Sequence, residues 1–243
     1  MIERSFTFLD GIGEQGEENL HSQGVLTWTD FLAQSDVKGM SYKRKAFYDR
    51  RLRQAQRALM KKDHEYFLKI LPQKHTWRLY NTFKSEALYL DIEIDQRGSI
   101  ILVGLYDGFD TKILVKGVNL EGSLLQSELD KYKMIITFNG SAFDLPKLKK
   151  RGIKLNALHM DLKHACQKLG LGGGLKEVEL QLNLNRPQHL RGNPIDLWKA
   201  FHASGDREYL DLLIRYNEED IVNLKPLAER CYRELAQIYA IKR

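Results

Sequence analysis

The stretch ALYLDIEI at residues 87–94, with SIILVGLY at 99–106 and TKILVKGV at 111–118, decides the fold class of this 243-residue chain. Each run is rich in β-branched and aliphatic residues. The linkers between them carry turn residues, QRG in one and DGFD in the other, so the three runs read as an antiparallel meander. Further on, residues 123–131 read as a helix, KMIITF at 133–138 as a strand, residues 143–151 as a helix after an Asn139–Gly140 turn, and LNALHM at 155–160 as a last strand. The order β-β-β-α-β-α-β predicts an α/β fold with a mixed five-stranded sheet flanked by helices. From Asp161 onward the chain reads as helical, apart from a turn at Gly172–Gly174 and a loop at 185–194.

Upstream of the meander, residues 14–69 carry apolar side chains at helical spacing, and Thr27 is placed to cap a helix bearing Trp28, Phe31 and Leu32. Residues 72–84 read as a connector. The expected division is a helical region at 1–80 and a main domain at 81–243, with no internal repeat. Hydrophobic residues at 43% and charged residues at 29% exclude a disordered or fibrous chain. Cys166 and Cys231 give neither a disulfide framework nor a zinc knuckle, and no apolar run reaches the length of a membrane span or signal peptide. A cytoplasmic protein is the expectation. A net charge of +6 favours polyanionic partners, and its distribution is uneven. Lys38, Lys43, Arg44, Lys45, Arg50, Arg51, Arg53, Arg57, Lys61 and Lys62 crowd together with Asp49 as the one acid among them, a candidate phosphate-binding face.

Within the first strand, period-two alternation puts Asp91 and Glu93 on one sheet face and Leu90, Ile92 and Ile94 on the other. Two carboxylates so close raise each other's pKa unless a cation neutralises them. Taken alone, an exposed sheet face bearing acids explains the pattern equally well. In TFNGSAFD a third acid, Asp144, opens the helix that follows a strand, where it faces the strand's C-terminal end or simply caps the helix. In IRYNEEDIVNL, Tyr216 and Asp220 are four residues apart and share one helix face, with Glu218 and Glu219 off it. A tyrosine in that setting by itself reads as core.

In that order and on those elements, DIE, NGSAFD and YNEED resemble the three exonuclease motifs of the DEDD superfamily, whose fold is the ribonuclease H-like one. The tyrosine variant fits, because the histidine variant requires His where this chain has Arg215. The segment HMDLKHACQKLGLGGGLKEVE brings the chain closest to the YprB-like ribonuclease H-like nucleases. The resemblance covers about residues 85–235. It implies that Asp91, Glu93, Asp144 and Asp220 hold two Mg²⁺ or Mn²⁺ ions and that Tyr216 orients the attacking water. The implied activity is a 3′–5′ exonuclease on DNA or RNA, with a substrate that is single-stranded or has a free 3′ end. Oxygen-rich ligands with no His/Cys set suit such hard cations. Asp161 is a reserve site residue or a helix N-cap, and Lys176 a phosphate contact or a solvated lysine. Two other readings stay open: a nucleic-acid-binding module on a ribonuclease H-like scaffold, and an endonuclease on branched DNA or RNA–DNA hybrids.

The N-terminal segment FLDGIGEQGEENLHSQGVLTWTDFL resembles a helix-hairpin-helix unit, with Gly11 and Gly13 in the hairpin. Such units offer backbone N–H groups to phosphates. A helical cap that packs on the main domain is the alternative. With Arg44, Arg50 and Arg51 of the basic stretch, and with Asn139 and Lys176, these glycines make up the expected nucleic-acid contacts.

Overall fold

The computed structural model describes residues 1–184 and 193–241. A 3-10 turn (Ile2–Arg4) leads through a bent segment into α1 (Glu14–Ser22), α2 (Trp28–Ala33), α3 (Tyr42–Met60) and α4 (His64–Ile70). Thr27 caps α2 as expected, its hydroxyl accepting from Asp30 N at 3.2 Å while Asp30 Oδ2 accepts from Thr27 N at 2.8 Å. The connector is helical rather than irregular: 3-10 turns at Gln73–Leu79 and Lys84–Glu86 flank α5 (Tyr80–Phe83).

Next come β1 (Ala87–Ile94), β2 (Ile100–Tyr106), β3 (Thr111–Val115), α6 (Gly122–Leu129), β4 (Met134–Thr137), α7 (Asp144–Lys150) and β5 (Leu158–Asp161). The sheet order is β3-β2-β1-β4-β5, antiparallel through β1, β2 and β3 and parallel from β1 through β4 to β5. This is the predicted mixed sheet. β3 stops three residues short of 118 because Asn119 folds back, its Oδ1 accepting from Val115 N at 2.6 Å and its Nδ2 donating to Ile113 O at 3.1 Å. β5 sits later than LNALHM because its pairing partner β4 sets its range, from Met134↔Leu158 to Thr137↔Asp161.

After the sheet run α8 (Leu162–Lys168), α9 (Leu175–Gln181), α10 (Pro194–Ser204) and α11 (Arg207–Ile241). Most of the loop expected at 185–194 lies outside the described residues; Asn193 caps α10, accepting from Ile195 N. Among the described residues no helix is long and apolar enough to cross a membrane.

Strand periodicity sorts the core. On one side of the sheet Leu88, Leu90, Ile92 and Ile135 pack with Leu125 and Leu129 of α6 and Leu148 of α7. On the other, Tyr89, Met134, Ile136 and Met160 join Leu224, Leu227 and Cys231 of α11, and the same apolar cluster takes in Trp28, Phe31, Tyr48 and Leu52 from the N-terminal helices. Helix α11 therefore lies across the face of β1 that carries Asp91 and Glu93. Cys166 and Cys231 are buried free thiols with Sγ atoms 3.6 Å apart.

Candidate metal centre

Asp91, Glu93 and Asp220 meet where α11 crosses β1, each offering a carboxylate oxygen within 4.8 Å of the others. Ligands on opposite sides of a Mg²⁺ ion are about 4.2 Å apart, so small rotations close this set around one hard cation. Among the described residues neither His nor Cys joins the group. The all-oxygen donor set fits a hard divalent cation such as Mg²⁺ or Mn²⁺.

Two residues beyond the sequence expectation build the crossing. Asn217, fully buried, donates from Nδ2 to Asp91 Oδ2 at 2.8 Å and so fixes the carboxylate's orientation. Gly104 stands opposite Asp91 on β2. A Cβ there would overlap Asn217 Oδ1 and come within 2.9 Å of Asn217 Cγ and 3.2 Å of Ile221 Cδ1. The helix approaches the sheet this closely because Gly104 has no side chain. Both had a signal: an isolated glycine in a strand marks close approach, and Asn217 is three residues before Asp220 on the same helix face.

Asp144 is placed differently from the other three. Pairing of β1 with β4 ends at Tyr89↔Ile136, so the Ile92 N–H has no ladder partner on that side, and Asp144 Oδ1 accepts it at 3.0 Å. One carboxylate oxygen is thus committed to the strand. The residue is 1% exposed and near enough to Glu93 for their charges to repel. Burial pushes the Asp144 carboxyl up to about 7, opposed by the hydrogen bond from Ile92. Burial, then the charges of Asp220 and Asp144, push Glu93 up to about 8, with Lys176 opposing.

These shifts carry a prediction. Both carboxyls bind protons more tightly when folded than when unfolded, so their contribution to stability is complete below about pH 4 and is lost as pH rises through about 7 to 8. In chelator, the melting temperature is expected to fall between about pH 4 and 8. Mn²⁺ replaces the lost protons, so its stabilising shift grows over the same interval. Glu93→Gln should flatten both trends; a chelated protein equally stable at both ends of the interval would contradict the electrostatics.

Lys176 and Tyr216 also come together here. The Lys176 ammonium lies 4.3 Å from the Tyr216 ring centroid, within electrostatic reach of Glu93, and Tyr216 is 8% exposed. Glu218 accepts from Thr111 Oγ1 at 2.9 Å, away from the acid cluster. Asp161 caps α8, accepting from Lys163 N at 3.1 Å, and also accepts from Asn139 N at 2.8 Å and Ser141 N at 3.0 Å. Burial works against its charge, yet those hydrogen bonds hold its carboxyl below the usual range. Asn139 is the turn residue itself, at φ 65°.

The N-terminal candidates lie elsewhere. Gly11 takes the left-handed φ of 76° that a hairpin requires. However, the chain before it makes only a 3-10 turn, because Phe6, Phe8 and Leu9 are drawn into the core; a helix forms on one side of the hairpin alone. Gly13 is the backbone N-cap of α1. Arg44 holds this turn, donating from Nε to the Tyr48 hydroxyl at 2.7 Å and from Nη2 to Asp10 O at 3.5 Å, while Tyr48 donates to the same carbonyl. Arg50 and Arg51 lie on α3.

No curated protein matches the chain. A family model described as the RNase_H superfamily does, over residues 88–232, which span the sheet from the second residue of β1 onward, the acid cluster and most of α11. With the strand order and the carboxylates it brings together, that match shows that the chain belongs to the RNase_H superfamily.

Proposed function

We propose that this protein is a divalent-metal-dependent nuclease that hydrolyses phosphodiester bonds in DNA or RNA, acting as a 3′–5′ exonuclease of the DEDD tyrosine type. The observation that carries the reading is the convergence of Asp91, Glu93 and Asp220 beneath α11, in a chain whose family model spans the same residues. In this reading Asp91, Glu93 and Asp220 would hold one cation, and the uncommitted oxygen of Asp144 would help hold a second. Divalent cations bound there supply the Lewis acidity that activates water and stabilises the leaving oxygen.

The chain's own groups do the rest. Asn217 orients Asp91, so the strand acid is held in place before substrate arrives. Tyr216, anchored on α11 one turn before Asp220, directs the attacking water through its hydroxyl, and Lys176 beside its ring meets a substrate phosphate. The Gly11–Gly13 turn is a candidate backbone contact for the strand, and the Asn139 side chain a candidate polar one, its backbone N–H being held by Asp161.

End-labelled DNA and RNA strands test the proposal. With Mg²⁺ or Mn²⁺ the expected products are mononucleotides released from the 3′ end, and chelator should stop the reaction. Longer fragments would make the enzyme an endonuclease. Absence of any cleavage alongside salt-sensitive strand binding would leave a binding scaffold.

A further inference from the structure

We infer that the exposed face of α3, which lies outside the segment matched by the family model, is a second nucleic-acid contact that tracks a strand by its phosphates. The inference rests on the substrate class proposed above, and on no part of the metal chemistry. At about 100° per residue, Lys43, Phe47, Arg50, Arg53, Gln54, Arg57 and Lys61 fall within a sector of about 120°, on the side away from buried Tyr48, Leu52 and Ala55. Along the axis the basic residues extend for about 27 Å.

Unmatched charge is concentrated on this stripe. Several exposed lysines on other elements are matched to glutamates, Lys62 and Lys133 to Glu86, Lys74 to Glu14, Lys112 and Lys131 to Glu128. On α3 the single acid, Asp49, is taken by buried Lys45 at 2.7 Å. Among the described residues no acid pairs with Lys43, Arg50, Arg53, Arg57 or Lys61. Arg50, Arg53, Arg57 and Lys61 succeed one another at spacings of three and four, where like charges repel and weaken the helix. Bound phosphates would remove that repulsion. Arg44 is not counted, because it holds the Asp10 turn. The exposed apolar residues form no continuous face: Tyr42 and Met60 share one direction but sit at opposite ends of the helix, about 27 Å apart, and Phe47 points about 140° away from both, which separates α3 from an interfacial membrane helix. Phe47 lies within the basic sector, where a base can stack on it.

The test is binding of a labelled oligonucleotide, single-stranded or duplex, in chelator at about 50 to 200 mM salt. Five phosphate contacts contribute a slope of about −3.5 in log affinity against log salt for a single strand and about −4.5 for a duplex. The variant with alanine at Lys43, Arg50, Arg53, Arg57 and Lys61 is expected to lose that slope and to bind more than tenfold more weakly at the low-salt end. Its melting temperature should hold or rise. Arg50→Gln with Arg57→Gln, a milder change, is expected to lose about 1.4 in slope for a single strand. A slope unchanged in both variants would overturn the inference, as would equally tight α3-dependent binding to phosphatidylserine vesicles. The two readings fail separately. Cleavage with an unaltered slope sinks this one, and α3-dependent binding without metal-dependent cleavage sinks the nuclease.

Discussion

Asp91→Asn is expected to lower metal-dependent nucleotide release by about 10³-fold or more, since the cation supplies several kcal/mol of transition-state stabilisation and each 1.36 kcal/mol is tenfold in rate. The substitution is nearly isosteric. An asparagine side-chain oxygen at 91 still accepts from Asn217 Nδ2, so the contact between β1 and α11 survives. It also removes one of the clustered negative charges from a half-buried site. The chelated variant should therefore melt at or above the temperature of the unaltered protein. What it should lose is the gain in melting temperature on adding Mn²⁺, because one of the three clustered ligands is neutral. This paired readout distinguishes a ligand from a structural carboxylate, whose replacement would lower stability in chelator. Release that continues at the original rate would remove Asp91 from the chemistry and with it the assignment of the site.

The parts of this site that were readable from sequence are those governed by local periodicity. Alternation along ALYLDIEI fixes Leu88, Leu90 and Ile92 against α6 and α7 and leaves Tyr89, Asp91 and Glu93 on the opposite face. The four-residue spacing of Tyr216 and Asp220 likewise determines that they share a side of one helix. What periodicity cannot carry is how close two elements come. The Asn217–Asp91 hydrogen bond joins residues 126 apart in sequence, and its existence depends on Gly104, on a third element. The role of Asp144 shows the same limit. Its position after β4 was legible, but its commitment to Ile92 follows from β4 ending while β1 continues, a mismatch in strand length that only pairing reveals. At the N-terminus the glycine pattern correctly marks a turn at Gly11. The residues before it are too few and too β-like for a helix, and Phe6, Phe8 and Leu9 are buried in the core instead.

The same dependence on close approach gives Gly104→Ala an expected effect out of proportion to one methyl group. The backbone at Gly104 is ordinary strand, so alanine meets no conformational penalty; the whole effect is steric. The added Cβ would overlap Asn217 Oδ1, which is buried and accepts no hydrogen bond, and the 3.2 Å approach to Ile221 closes the other way out. Either Asn217 rotates and abandons Asp91, or α11 lifts from the sheet and carries Asp220 with it. Overpacking of this kind costs about 1–3 kcal/mol, and an uncompensated buried amide adds about 1–3 kcal/mol. Together these costs correspond to a fall in melting temperature of roughly 4–24 °C for a chain of this size. Activity should fall by at least the 10–100-fold typical of losing a residue that orients a metal ligand. The double variant Gly104→Ala with Asn217→Ala separates the two consequences. Shortening Asn217 removes the clashing oxygen, so much of the lost stability should return, while activity stays low because nothing then orients Asp91. The expected outcome of that cycle is stability recovered in the double variant and activity no higher than in Asn217→Ala alone. If Gly104→Ala alone melts and cleaves like the unaltered protein, α11 does not lie as close to β2 as the Asn217–Asp91 contact requires.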